Sequence, residues 1–192
     1  MTLYLVRHGE TDWNIASKIQ GQTDIALNEK GRRQAEEFAA RIIQEHYQIE
    51  GIYTSFKQRA LETSKIIGTA LGIEPKVQPG LEEICLGKWE GHTWKQVKEL
   101  FGEEYRIWHD NRRYEAPPEG ESYQQLLDRL LPAMHEIAEK ETGNVLIVTH
   151  SAVIMTLMSY IYDTPFEDMA KNYKTGNAGI VELDAELFKK RG

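Results

Sequence analysis

The chain has 192 residues, 41% of them hydrophobic and 28% charged, which suits one soluble globular domain with a real core. A formal net charge of −7 argues against general binding to nucleic acid or to an anionic membrane, so an anionic substrate would need a locally positive pocket. The single cysteine, Cys85, cannot form an intrachain disulfide and fits a reducing, cytoplasmic setting; the first apolar run is too short for a signal peptide or a membrane span.

Leu3-Tyr4-Leu5-Val6 is a short apolar run that predicts a buried strand. It stops on Arg7 and His8, and Gly9 can take a turn that other residues adopt only at a cost. Thr11 is placed to cap a short helix over 12–16. Residues 15–27 read as irregular, with Gly21 among them. Asn28 then caps a helix whose inward face is Ala35, Phe38, Ala39, Ile42 and Ile43. Gly51 to Thr54 predicts a second strand. Ser55 is expected to cap a helix to about Leu71, with Arg59 in its first turns and Gly72 just past its end. Val77 lies in a further short strand, and Leu81 to Gly91 is half extended, half loop.

Thr93 caps a short helix ending before Gly102. Residues 103–121 are polar and aromatic, with Pro117-Pro118 and Gly120, and read as a lid or excursion over one end of the sheet, not as a separate domain. With the preceding turn they make a lid-like excursion at about 87–121. Ser122 opens a long helix to about Lys140, in which Pro132 should produce a kink. Val145 to Thr149 is the clearest buried strand; it ends on His150, and Ser151 opens an apolar helix to Tyr160. Residues 178–183 predict a last strand, and the basic end Lys189-Lys190-Arg191 reads as a solvated tail. This alternation predicts an α/β fold: a three-layer sandwich with a mostly parallel central sheet and helices on both faces, in a single domain over 1–192.

In a parallel sheet the residues that follow each strand share one edge, where ligands bind. Arg7 and His8 follow the first strand, Arg59 lies just after the second, and His150 follows the strand at 145–149. Two arginines and two histidines converging there suit a tetrahedral oxyanion such as phosphate. A neutral imidazole among them can accept the phosphoryl group, and Glu82 or Glu83 can supply a proton to the leaving oxygen. These residues alone do not choose between His8 and His150. Other chemistries fail: there is no cysteine-phosphatase loop, P-loop, Gly-x-Ser-x-Gly elbow or paired metal-ligand spacing among the histidines. Trp89, Trp94 and Trp108 are expected to pack the core or the lid, with substrate stacking as the alternative role.

Leu5-Val6-Arg7-His8-Gly9-Glu10-Thr11, followed by Trp13-Asn14, resembles the signature of the histidine phosphatase superfamily, the phosphoglycerate-mutase-like proteins. The likeness continues through Gln20-Gly21, the stretch around Arg59, Leu81 to Glu83, Trp89-Glu90-Gly91, Pro117-Pro118 with Gly120-Glu121-Ser122, and Val148-Thr149-His150. It departs at Phe56-Lys57, where the family often has Pro-Leu, and at Ser151, where glycine is common. The resemblance implies a metal-independent phosphoric monoester hydrolase, without cofactor, acting on small phosphorylated metabolites. His8 would form the phosphohistidine, Glu83 would be the acid, then the base, and Arg7, Arg59 and His150 would hold the phosphoryl oxygens. Asn14, Gly21, Thr149 and Ser151 would be further phosphate or substrate contacts. The modest excursion between Trp89 and Ser122 looks more like the family's phosphatases than its mutases. A cofactor-dependent phosphoglycerate mutase is the alternative, and a non-catalytic phospho-ligand binding module a further one.

Overall fold

A computed structural model describes residues 1–189 of the chain. The basic end, Lys190-Arg191 with the side chain of Lys189, lies outside the described residues. Strand β1 (Thr2–Arg7) leads into the short helix α1 (Asp12–Ile15), capped by Thr11, and then α2 (Glu29–Gln44), capped by Asn28. Strand β2 (Gly51–Thr54), helix α3 (Gln58–Leu71) and strand β3 (Lys76–Val77) follow. A 3-10 turn (Gly87–Trp89) precedes α4 (Trp94–Leu100) and α5 (Gly102–Asp110). The chain continues through α6 (Tyr123–Lys140), β4 (Val145–Thr149), α7 (Ser151–Ile161), α8 (Met169–Tyr173), β5 (Ile180–Asp184) and α9 (Ala185–Lys189).

Among the described residues the sheet has five strands in the order β3-β2-β4-β1-β5. Its pairings are parallel except for β5, which runs antiparallel to β1. Strand alternation divides the core in two. Leu3, Leu5, Val145 and Ile147 pack with α6 and α7, including Leu126, Leu130, Ile154 and Leu157. Val6, Leu146 and Val148 face the other way, onto Phe38 and Ile42 of α2 and Ile67 of α3. Each such side chain, withdrawn fully from water, contributes about 1.5–3 kcal/mol. The result is the expected α/β three-layer sandwich. Among the described residues no helix is long and apolar enough to cross a membrane.

Several local expectations are corrected. Ser55 does not cap α3, which begins at Gln58 after Lys57; the Ser55 hydroxyl accepts from the Lys57 amide (3.3 Å) and meets His150 instead. The stretch 103–121, to which the sequence assigned no helix, contains most of α5, laced by Arg106 with Glu103 and Asp110. The last strand starts at Ile180, since Ala178 has φ +52°, a left-handed backbone that a strand cannot use. Helix α8 had no counterpart in the sequence reading.

Candidate active site

Parallel pairing sets Arg7 opposite Thr149, so His8 and His150 leave adjacent strand ends together. The His8 amide donates to the Thr149 carbonyl (3.0 Å), and the two imidazole centroids are 5.3 Å apart. Arg59 arrives from the first turn of α3, directly after β2, the other neighbour of β4. Arg7, His8, Asn14, Gly21, Arg59, Glu83 and Ser151 line one cavity of about 360 Å³.

His8 is buried, and its Nδ1 lies 2.7 Å from the Gly9 carbonyl oxygen. A carbonyl can only accept, so Nδ1 carries the proton and Nε2 the lone pair. Burial, then the cations Arg59 and Arg7, hold its pKa well below the usual imidazole value, so the ring is neutral near pH 7. Arg7 Nη1 donates to the Thr175 carbonyl (2.7 Å). Arg59 donates from Nη1 to Thr23 O (2.9 Å) and from Nη2 to Gly21 O (2.8 Å). The Nε of each is buried with no partner among the described residues, so both guanidinium groups retain capacity for an oxyanion.

Glu83 accepts from the amides of Ile84 (3.1 Å) and Ala152 (3.4 Å). Burial pushes its carboxyl above the usual glutamate value, against the opposing pull of Arg59, these two amides and Arg7. Its neighbour Glu82 turns away, accepting from the Gly80 amide (2.9 Å) and pairing with Arg129 at 3.4 Å. Only Glu83 of the two lines the cavity. His150 is fully buried beside His8, with Nε2 2.9 Å from Ser55 Oγ; burial, then Arg59 and His8, lower its pKa well below the usual value.

Neither His150 nor Thr149 lines the cavity. The buried Thr149 hydroxyl donates to the Leu81 carbonyl (2.7 Å) and so ties down the segment that carries Glu83. Asn14 lines the cavity while its side-chain oxygen accepts from the Thr11 amide (3.0 Å) and from Asn177 Nδ2 (3.2 Å). Gly21 has φ +50°, and a Cβ there would lie 2.0 Å from the Glu90 carboxylate, so a side chain would strain the backbone and displace Glu90.

The far wall of the cavity is aromatic. Trp94, Tyr105 and Trp108, from α4 and α5, line it, with Trp94 and Trp108 stacked at 5.5 Å. Trp89 packs the core as expected, but the other two tryptophans also face the site. Arg112 lines this wall at 8% exposure, its guanidinium 4.7 Å from the Trp108 ring centroid and its Nε without a partner among the described residues. The pair Arg112-Arg113 inside an aromatic stretch was the available signal.

The chain is similar to several known proteins. Over 158 residues, 81% of this chain, it is 37% identical to the phosphoglycerate mutase-like protein 4 of Arabidopsis thaliana and equally to that plant's metal-independent phosphoserine phosphatase. The match covers 68% of the first relative and 66% of the second, so the chain spans about two thirds of their length. A solved phosphoserine phosphatase from Entamoeba histolytica, in complex with 3-phosphoglyceric acid, superposes with a TM-score of 0.81 at 31% identity, over 95% of this chain and 90% of that one. Residues 3–190 match the family model of the histidine phosphatase superfamily (branch 1). The match spans the strand-end histidines, both arginines and the buried glutamate alike, and the chain belongs to this superfamily.

Proposed function

We propose that the chain is a metal-independent phosphomonoesterase that works through a phosphohistidine on His8. The observation that carries this reading is the His8 tautomer: Nδ1 is committed to the Gly9 carbonyl, which leaves Nε2 as the nucleophile beside Arg7 and Arg59. The Nε2 lone pair attacks phosphorus, and the ester P–O bond breaks. Glu83, buried and therefore protonated more readily than an ordinary glutamate, gives its proton to the leaving oxygen. Glu83 then takes a proton from water, whose oxygen attacks the phosphoryl group; the P–N bond breaks and phosphate leaves. Arg7, Arg59 and His150 hold the equatorial oxygens and stabilise their charge.

The substrate is a small phosphorylated metabolite. A cavity of about 360 Å³ exceeds a phosphoryl group, so most of it serves the alcohol portion. The relatives' names point to phosphoserine and 3-phosphoglyceric acid as chemical guides. We further read the segment at 87–121 as a lid within a single domain, and the free Cys85 supports a reducing, cytoplasmic setting. Among the remaining functions, a phosphoglycerate mutase shares the phosphohistidine step and differs in what attacks it next.

Rapid quench with a labelled phosphomonoester should trap an acid-labile phosphoenzyme, and His8→Ala should abolish both it and turnover. In the same preparation, 3-phosphoglycerate should release free phosphate with or without 2,3-bisphosphoglycerate. Full activity in His8→Ala would refute the intermediate. Fast, bisphosphate-dependent formation of 2-phosphoglycerate with negligible phosphate would make the protein a mutase.

A further inference from the structure

Glu83 sits on residues 81–86, a stretch with neither helix nor strand. No regular backbone ladder fixes a carboxyl that has to meet a leaving oxygen. Side chains from elsewhere do so, and Arg129 on α6 is their hub. Its Nη1 donates to the Gly80 carbonyl (3.0 Å), and its Nη2 donates to the carbonyl of Glu83 itself (2.9 Å). The same guanidinium is held by Glu121, from Nε to Oε2 at 3.2 Å and from Nη2 to Oε1 at 2.7 Å. Glu121 also accepts from the Cys85 amide (2.8 Å). One ion pair therefore grips the backbone before, at and after Glu83. Gly80 closes the arrangement against α6: a Cβ there would lie 2.6 Å from the Arg129 carbonyl oxygen.

Arg129 lies outside the cavity wall. Its side chain is 26% exposed and that of Glu121 17%, so as an isolated ion pair they would add little stability. What the pair supplies is geometry. A planar guanidinium can serve Gly80, Glu83 and Glu121 at once, whereas a lysine ammonium presents a point charge with no fork.

We propose that Arg129, held by Glu121, is a positioning residue that aims Glu83 at the leaving oxygen. This rests on the reading of Glu83 as the proton donor. In the first half-reaction the P–O bond breaks as the Nε2–P bond forms, and the leaving oxygen takes the Glu83 proton. An alkyl leaving group needs that proton, whereas a p-nitrophenolate leaves without it. Displacing Glu83 must therefore penalise alkyl esters and largely spare aryl esters. General damage to the fold or to the phosphate pocket penalises both alike.

The experiment compares kcat/KM for glycerol 3-phosphate and p-nitrophenyl phosphate in the wild type, Glu83→Gln, Arg129→Gln and Glu121→Gln. This parameter stops at phosphoryl transfer to His8, so the later attack of water does not enter. Arg129→Gln should lose about 10- to 100-fold on the alkyl ester, the cost of roughly an ångström of misplacement, and no more than about threefold on the aryl ester. Glu121→Gln, which keeps an acceptor for the Cys85 amide, should show the same selectivity with a smaller loss. Should Arg129→Gln fail to fold, Arg129→Lys makes the same comparison, since it keeps the charge and loses the fork. If Glu83→Gln is selective for alkyl esters and the Arg129 variant loses equally on both, the inference fails alone. If Glu83→Gln itself loses equally on both, the assignment of Glu83 as proton donor fails, and the inference with it.

Discussion

Replacing Gly31 by alanine should disable the site from outside it. Gly31 lies in the first turn of α2 and lines no part of the cavity. It packs directly under the turn that carries His8: a Cβ on Gly31 would lie 2.1 Å from the Glu10 carbonyl oxygen and 2.7 Å from the Glu10 amide nitrogen. A Cβ built on Gly9 would in turn lie 2.4 Å from the Gly31 carbonyl oxygen. Ordinary contact begins at 3.4 Å, and the obstructing atoms are backbone, so no rotamer relieves the clash. One segment must move by roughly an ångström, the scale at which misplaced catalytic groups lose on the order of 100-fold in rate. Overpacking of this kind costs about 1–3 kcal/mol of stability. The control is Gly72→Ala: that glycine has φ +70° and nothing within 4 Å of a built Cβ, so the change costs about 1–2 kcal/mol through backbone strain alone. Urea titration should place both variants in the same stability range, while kcat/KM collapses only in Gly31→Ala. Near-wild-type kcat/KM in Gly31→Ala, or an equal loss in Gly72→Ala, would refute the reasoning.

The reactive form needs Glu83 protonated and His8 neutral, and burial raises the pKa of the first while it lowers that of the second. For alkyl esters kcat/KM should therefore fall as pH rises through the raised Glu83 value and as pH drops through the depressed His8 value; Glu83→Gln should abolish the alkaline fall, and a persistent one would belong to another group. Arg112→Met should raise KM for carboxylate-bearing phosphomonoesters about 10-fold or more, the worth of a charged hydrogen bond, while sparing p-nitrophenyl phosphate; equal effects on both would remove Arg112 from substrate recognition. Because two arginines already supply the positive charge, exhaustive chelation should leave the rate unchanged. A loss restored by one divalent ion would assign different chemistry.

The parts of this protein that were legible in the sequence are those whose signal is local. The apolar runs at 3–6 and 145–149 could only be buried strands, and the polar residues that end them therefore had to meet at one sheet edge. Helix α5 was hidden because its buried side is Trp108 with cavity-facing Tyr105, and no aliphatic stripe marks it. Ser55 misled because serine ordinarily caps helices, whereas its hydroxyl is here engaged with His150, a partner 95 positions away. The Thr149 hydroxyl likewise goes to a distant partner, the Leu81 carbonyl. Arg129 and Glu83 are separated by 46 positions, and nothing in either local stretch announces the other. Periodicity reports which face of an element is buried; it carries no information on which distant side chain will claim a hydroxyl or a carbonyl.

The strand order also governs when the enzyme can exist during its own synthesis. Strand β1 is made long before both of its neighbours in the sheet, β4 and β5: Leu3 pairs with Val145 on one side and Leu183 on the other. Until those segments leave the ribosome, β1 presents two unpaired edges, and the turn bearing His8 lacks the Thr149 carbonyl, the Thr175 carbonyl and Asn177 that hold it. Such non-local closure is slow compared with helix formation. A nascent chain with α2 and α3 already formed therefore carries His8 without the contacts that hold its turn.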